Sequence, residues 1–240
     1  LVRLADYFAA ALFASLALGA LDIALLCFAL GGLRALLSHH AAVGLLGVWA
    51  LVGLVGLGIK PQLPRQPEHS YREPAWVFPA LFLLPFATLF VSAWCERHGV
   101  AVLPGGAPLA WTGVAVAGVG AGLRVAAASQ LGRLFSPFVV LQRDHALTTT
   151  GLYGRLRHPA YLGALLSACG AALTFRSGVG LVGAVALAFV LRVRVGGEER
   201  LLAERFGEAF AAYRARTGRL WPRLGRRPAE GADPFPTLRP

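Results

Sequence analysis

Three short clusters in this chain combine side chains that can do chemistry. Arg155, Arg157 and His158 stand immediately before Pro159, at the head of an apolar run. Proline is accepted in the first turn of a helix, so the run can begin there and point its free N–H groups, with guanidinium and imidazole donors beside them, at one spot. Such a corner binds anions, a carboxylate or a phosphate. Arg155 and Arg157 also have an ordinary use, because cations at the end of a membrane span orient it and meet lipid headgroups. The second cluster is Glu198 with Glu199, after the next apolar run, and the third is Tyr213 with Arg216. Between them Leu202, Phe206, Ala209 and Tyr213 repeat at helical spacing, an amphipathic stripe within Gly196 to Arg216. Extended by one step each way, the stripe reaches Glu199 and Arg216. On a helix unbroken at Gly207 both charges flank the apolar face, and burying either alone is costly unless it finds a partner or a ligand. On a surface helix with solvated ends both stay free.

The elements that must position these clusters are written in the hydropathy. Of 240 residues 56% are hydrophobic and 15% charged, with a mean hydropathy of +0.61, whereas a soluble domain carries about 25% charged residues. The apolar residues gather in six blocks, roughly 5–30, 41–59, 75–94, 107–127, 159–175 and 178–195, near the ~20 residues that cross hydrocarbon. The expected fold is all-α, a polytopic transmembrane protein of about six spans with a cytoplasmic C-terminal amphipathic helix. A net charge of +11, from 23 Lys and Arg against 12 acids, would suit nucleic acid. Here the arginines fill the gaps between blocks, the pattern that orients a membrane protein, so nucleic-acid binding is not expected. Lys60, Arg65 and Arg72 crowd one gap and Arg124, Arg133, Arg143, Arg155 and Arg157 another, against single residues Arg34, Arg97 and Arg176 in the rest. This bias places the rich loops and both termini in the cytoplasm, and a bacterial inner membrane is the expected location. The first block is too long for a cleavable signal, and without an initial Met some residues are expected to precede Leu1.

The fifth and sixth blocks are joined only by "RSG" and should form a tight helical hairpin. The gap of about 30 residues before them is long for a connection, and its β-branched and aromatic content predicts an ordered segment on the cytoplasmic membrane face. The tail after Pro222 is rich in Pro and Gly and is expected to be poorly ordered. Cys27, Cys95 and Cys169 lie in separate blocks without metal spacing and read as free thiols, and His39 with His40 reads as a polar turn; no metal site is expected. "VAVAGVGAG", 114–122, imitates a cofactor-cradling glycine loop. It lacks the strand before and the βαβ context, so Gly118 and Gly122 are expected to form a helix-packing face. Asp22 and Arg124 are ionisable residues in or near apolar blocks, a mark of transport pathways, but no internal repeat accompanies them and Arg124 is near enough to a boundary to snorkel.

Taken in order, "LGRLFSPFVVLQRDHALTTTGLYGRLRHPAYLGALL", an apolar hairpin and "EERLLAERFGEAFAAYRARTGRLWPRL" resemble the isoprenylcysteine carboxyl methyltransferase family of integral membrane enzymes, from about Leu131 to Leu224. The resemblance implies a cytoplasm-facing pocket for S-adenosylmethionine with a lateral opening for a lipophilic acceptor. It implies cofactor contacts at Leu147, Thr150, Gly151, Tyr153, Arg157, His158, Pro159, Tyr161, Glu198 and Tyr213, and catalytic roles for Glu199 and Arg216. Thr217 and Gly218 follow Arg216 where the family often has proline. The division it implies is residues 1–127 as acceptor-side helices, 128–224 as the cofactor-binding region and 225–240 as a tail. Methyl transfer to a carboxylate needs desolvation and alignment and no general base; Arg216 would orient the acceptor's oxygens while Glu199 holds the donor's amino end or anchors Arg216. The acceptor would be a lipidated or lipid-like molecule, with a carboxylate favoured over an amine or a phenol. Membrane reductases of the sterol type, which use NADPH, carry a similar "RHPxYxG" and are the alternative, with the 60–74 loop as the site for a 2′-phosphate; transport is the third reading.

Overall fold

A computed structural model describes residues 4–57, 67–70, 73–132, 140–142 and 147–222. The helices are α1 (Leu4–Leu30), α2 (Leu33–Ser38), α3 (His40–Gly56), α4 (Val77–His98), α5 (Gly106–Leu131), α6 (Pro159–Thr174) and α7 (Gly178–Arg216), with one 3-10 turn at Gly151–Gly154. Two short strands, β1 (Pro67–Ser70) and β2 (Val140–Gln142), pair antiparallel with His69 opposite Leu141. They tie the loop before α4 to the long segment before α6. The rest of the 60–72 loop and of 133–146, and the expected tail, lie outside the described residues.

Each of the six apolar blocks is a helix. Among the described residues α4, α5 and α7 are long and apolar enough to cross a membrane, while Ser15–Leu30 of α1, α3 and α6 are shorter apolar segments. Of the roughly six spans expected, three are helices long and apolar enough to cross among the described residues, and the other three blocks supply shorter apolar segments there. The 16 residues of α6 rise only about 24 Å, against a hydrocarbon core of about 30 Å. Phe13, Phe28, Leu51, Leu83, Val119, Val185 and Phe189 point outward and are exposed. An apolar surface of this extent faces lipid; the chain is a multi-pass integral membrane protein.

Packing is closest between α5 and α6, and glycine is the cause. A Cβ on Gly113 would lie 2.3 Å from the Thr174 nitrogen, one on Gly120 2.5 Å from the Ser167 nitrogen, and one on Gly170 2.3 Å from the Ala117 nitrogen. The stretch 114–122 is thus helical and packs a helix, as expected, but through different glycines. Gly118 makes only ordinary contact with Val48 and Gly122 has nothing within 4 Å; the seven-residue spacing of Gly113 and Gly120 faces α6, whereas Gly118 and Gly122 are turned away from it.

"RSG" makes the expected hairpin, with the Ser177 hydroxyl accepting from the Gly180 N–H at 3.0 Å to cap α7. The opposite strand of contacts is α4 on α7, where Gly180 and Gly183 leave room for Ser92 and Thr88. At this end His39 caps α3, its Nδ1 accepting from the Ala42 N–H at 3.1 Å. His39 Nε2 then faces Glu96 Oε2 at 2.8 Å, and Arg176 Nε donates to Glu96 Oε1 at 2.8 Å. The expected polar turn is there, and it is fastened to the hairpin.

Because α7 has 39 residues against 16 in α6, it overshoots the α6 N-terminus and delivers Glu198 and Glu199 to it. The amphipathic stretch is a direct continuation of the apolar one, without a break near Gly196. The break comes at Gly207, with φ 48° and ψ −119°, values open to glycine. The unbroken stripe expected from Glu199 to Arg216 is accordingly interrupted: the residues after the break are rotated relative to those before it. Finally, α4 packs on α7 and α1 while α5 packs on α6 and α3, so α4 and α5 stand apart and a cavity opens between them.

Candidate functional site

The site starts from backbone pairing. After α7 the chain turns back along the segment that leads into α6: the Arg157 N–H donates to Gly218 O at 2.8 Å, the His158 N–H to Arg219 O at 3.1 Å, and the Gly218 N–H to Arg155 O at 3.1 Å. Arg157 then reaches the end of α7, donating to Arg214 O at 3.2 Å and to Thr217 O, a cation placed where helix carbonyls are unpaired. Between the two segments sits Glu199, 5% exposed. Its Oε1 accepts from Arg157 Nε at 2.8 Å and lies 3.3 Å from His158 Nε2, and its Oε2 accepts from Arg219 Nε at 3.1 Å and from Arg219 Nη2. Glu199 lies beyond the apolar part of α7, past Arg192 and Arg194. Burial pushes its carboxyl up, but hydrogen bonds from His158, Arg219 and Arg157 and the Arg157 charge outweigh burial and hold it well below the usual carboxylate range.

Glu198, one residue earlier, faces the other way. Its Oε2 accepts from the Tyr161 hydroxyl at 3.0 Å and lies 3.7 Å from His158 Nδ1. Arg194 Nε donates to the Tyr161 oxygen at 2.8 Å, and Arg194 Nη1 donates to Glu73 at 2.9 and 3.1 Å. A continuous polar chain therefore runs from Glu73, before α4, through α7 and α6 to the two glutamates. His158 is the N-cap residue of α6, buried, and its ring stacks on Tyr161 with centroids 5.7 Å apart.

A cavity of about 660 Å³ lies against this chain. Its polar end is walled by Tyr153, Arg157, His158, Tyr161, Glu198 and Tyr213, and its apolar end by Phe78, Phe82, Phe86 and Leu89 of α4, Ala164, Ala168 and Ala171 of α6, and Leu187 and Leu191 of α7. Arg124 of α5 lines it as well.

Comparison with known proteins points the same way. Residues 109–209 match the phospholipid methyltransferase family. Over 95 residues the chain is 35% identical to the protein-S-isoprenylcysteine O-methyltransferase of Schizosaccharomyces pombe, covering 38% of this chain and 40% of that protein. It is also 38% identical over 96 residues to the cobalt-zinc-cadmium resistance protein CzcN of Cupriavidus metallidurans, covering 39% of this chain and 44% of that one. The solved structure of the eukaryotic intramembrane Ras methyltransferase, isoprenylcysteine carboxyl methyltransferase, superposes with a TM-score of 0.52 at 18% identity over 75% of this chain and 66% of that one. Over the matched stretch this chain is similar to phospholipid and isoprenylcysteine methyltransferases. In both curated relatives the matched stretch is less than half of the protein.

Seven of the residues expected from sequence line the cavity: Leu147, Tyr153, Arg157, His158, Tyr161, Glu198 and Tyr213. The Tyr213 hydroxyl donates to Tyr153 O at 2.7 Å, joining α7 beyond its break to the 3-10 turn. Burial, with the Glu198 and Tyr213 charges, raises the Tyr153 phenol well above its ordinary value, so it stays protonated. Five others are placed off the wall. Pro159 is buried at the first position of α6, and Thr150 and Gly151 open the 3-10 turn, where Gln130 accepts from the Leu152 N–H at 2.9 Å. Glu199 sits behind the wall, braced by the contacts above. Arg216 ends α7 on an exposed face. The expected Glu199–Arg216 pairing is replaced by Arg157, Arg219 and His158.

Sequence reasoning missed Arg194, Arg219 and Glu73 and assigned Arg124 no role in the site. A signal existed for two of them, since an arginine inside an apolar block is expensive and asks for a reason. Arg219 and Glu73 carried none.

Proposed function

We propose that this protein is an S-adenosylmethionine-dependent methyltransferase of a bacterial inner membrane, with both termini cytoplasmic, and that it methylates a carboxylate on a lipophilic acceptor. The observation that carries the acceptor class is Arg124. It lines the cavity, and among the described residues its guanidinium has no hydrogen bond or ion pair; its titratable neighbours are the phenol of Tyr161 and another cation, Arg194. An unpaired cation in an apolar setting is costly unless an anion joins it. It disfavours an amine acceptor and favours a carboxylate.

The residues at the polar end fit the donor. Glu198 offers carboxylate oxygen to an ammonium group, the α6 N-terminus and His158 suit a carboxylate, and Leu147, Leu201, Leu202, Tyr153 and Tyr213 offer apolar and aromatic surface to a base. S-adenosylmethionine would supply an activated methyl group on a sulfonium. The chain's own contribution is placement: Tyr161 and His158 fix Glu198, Glu199 braces the wall from behind, and Arg124 aligns the acceptor's oxygens in a cavity lined mostly by apolar side chains. On this reading residues 128–224 hold the donor, while α4 and α5, within residues 1–127, hold the acceptor. Arg216, exposed at the end of α7, is not among the residues that line the cavity, and this reading gives it no part in aligning the acceptor. The reductase alternative relies on a 60–74 loop whose basic residues lie outside the described ones, and Arg124 as a cavity cation with no repeat around it does not favour transport.

The test is incubation of the protein in bilayer nanodiscs with methyl-labelled donor and a membrane lipid extract. Label in an esterified lipid carboxylate supports the proposal; stabilisation by NADPH and not by S-adenosylmethionine would overturn it.

A further inference from the structure

The polar chain at the site begins with a residue that does not touch the cavity. Glu73 is absent from the wall, yet its carboxylate accepts from Arg194 Nη1 at 2.9 and 3.1 Å, and the Arg194 side chain is 5% exposed. Glu73 stands just before Pro74, whose carbonyl accepts from the Val77 N–H at 2.9 Å to open α4. Beside it Trp76 lies flat on Phe189 of α7, with ring centroids 6.4 Å apart and planes 8° from parallel, and Val77 is fully buried. The start of α4 is thereby pinned to α7 close to Arg194, and Glu73 with it.

Arg194 and Glu198 are four residues apart on α7, the spacing at which opposite charges on a helix meet side by side. Left to itself, the guanidinium would fall on the carboxylate. Instead Arg194 Nε donates to the Tyr161 oxygen at 2.8 Å and the Tyr161 hydroxyl donates to Glu198 Oε2 at 3.0 Å, so a phenol separates the two charges. Glu198 Oε1 has no hydrogen bond among the described residues, and Glu198 lines the cavity. We propose that Glu73 is a positioning residue of the donor site: it draws Arg194 aside and so leaves Glu198 free to bind an ammonium group. The inference rests on the donor reading for the identity of that ammonium. Charge argues the same way. Glu73, Arg194 and Glu198 together carry one net negative charge, which attracts a cation, whereas Arg194 with Glu198 alone carries none. The donor site then depends on the first half of the chain, through the segment that leads into α4.

The test is labelling of the protein in nanodiscs with a water-soluble carbodiimide and a small amine, read at Glu198 by peptide mass spectrometry, beside titration with S-adenosylmethionine. The wild type should label at Glu198, whose side chain is 34% exposed. Glu73→Gln should cut that labelling severalfold and weaken donor binding about tenfold, the scale of one charge-assisted hydrogen bond surrendered to Arg194. Glu73→Gln combined with Arg194→Met should restore both, since no guanidinium remains to cover Glu198. A Glu73 that only supported the fold would leave the double variant at least as impaired as the single one. Should Glu73→Gln fail to fold, Glu73→Asp keeps the charge one methylene short and gives the same comparison with a smaller fall. Equal labelling or equal donor affinity in wild type and Glu73→Gln, no labelling in the wild type, or no recovery in the double variant would overturn the proposal. The expected labelling pattern with no binding of S-adenosylmethionine to any form would uphold the hold of Glu73 on Arg194 and remove the donor reading.

Discussion

The α6–α7 hairpin has a carboxylate cluster at each end, part-buried at the turn and buried at the open end, and the two are built from the same parts. At the turn, Glu96 is held by His39 and Arg176, each at 2.8 Å. At the open end, Glu199 is held by His158, Arg157 and Arg219. In both a histidine at a helix N-cap and at least one arginine from a chain turn hold a glutamate, and in both the result is a fastening between segments that are distant in sequence. The difference is what stands beside the fastening. Glu198 follows the same helix yet points into a cavity of about 660 Å³ alongside Tyr161, and Arg124 faces that cavity without a described partner. The pocket at the turn is half that size, about 320 Å³, with Glu96 already paired. A buried His–Glu–Arg cluster therefore marks structure; a polar group beside it that is left facing a cavity marks chemistry.

The comparison breaks first at Glu199. Glu199→Ala leaves Arg157 and His158 buried without a counter-charge and should cost about 3 to 5 kcal/mol, lowering the melting temperature and abolishing donor binding together. Glu96→Gln should cost less, because Arg176 and His39 are more exposed than Arg157 and His158, and should leave donor affinity intact. If Glu199→Ala melted like the wild type and lost only turnover, Glu199 would be a catalytic group after all.

Arg124→Ala comes next, with a fall in kcat of about a hundredfold and little change in donor affinity or melting temperature. A large drop in stability would mean that the guanidinium is structural. Glu198→Gln should weaken donor binding about tenfold by titration, the scale of one charge-assisted hydrogen bond, with a small effect on folding. The smallest effect concerns pH. Since the folded Glu199 carboxyl is held below its ordinary value, its contribution is complete above the unfolded carboxylate pKa of about 4.3 and is lost only as pH falls below it. Melting temperature should thus be flat on this account from neutral pH down to about 5 and decline in more acidic buffer; a decline already near neutrality would show that the Glu199 carboxyl is not its source.

Much of this was legible in the chain. Hydropathy located all six apolar helices, and Pro159 marked the start of α6 to the residue, because its ring suits a first helical turn and no later one. The nearness of His158 and the glutamate pair was legible too, from a hairpin whose second arm is longer than its first. The residues that failed did so for physical reasons. Gly118 and Gly122 stood out in a glycine-rich string, yet the α5 face that meets α6 runs through Gly113 and Gly120, and a face is chosen by the partner. The stripe from Glu199 to Arg216 assumed continuous helix through Gly207, a residue that pays no steric penalty for leaving it.

By itself the sequence determined the class of protein, the order and approximate ends of its helices, and which short clusters could serve as a site, because hydropathy, proline and glycine act on the chain locally. Only the tertiary structure decided that Glu198 meets the cavity while Glu199 braces the wall, and that Arg124 belongs to the site at all. Adjacent residues on a helix point about 100° apart, so the assignment turns on the rotation of α7 and α5 about their axes, and that rotation is set by glycine contacts with neighbouring helices far away in sequence.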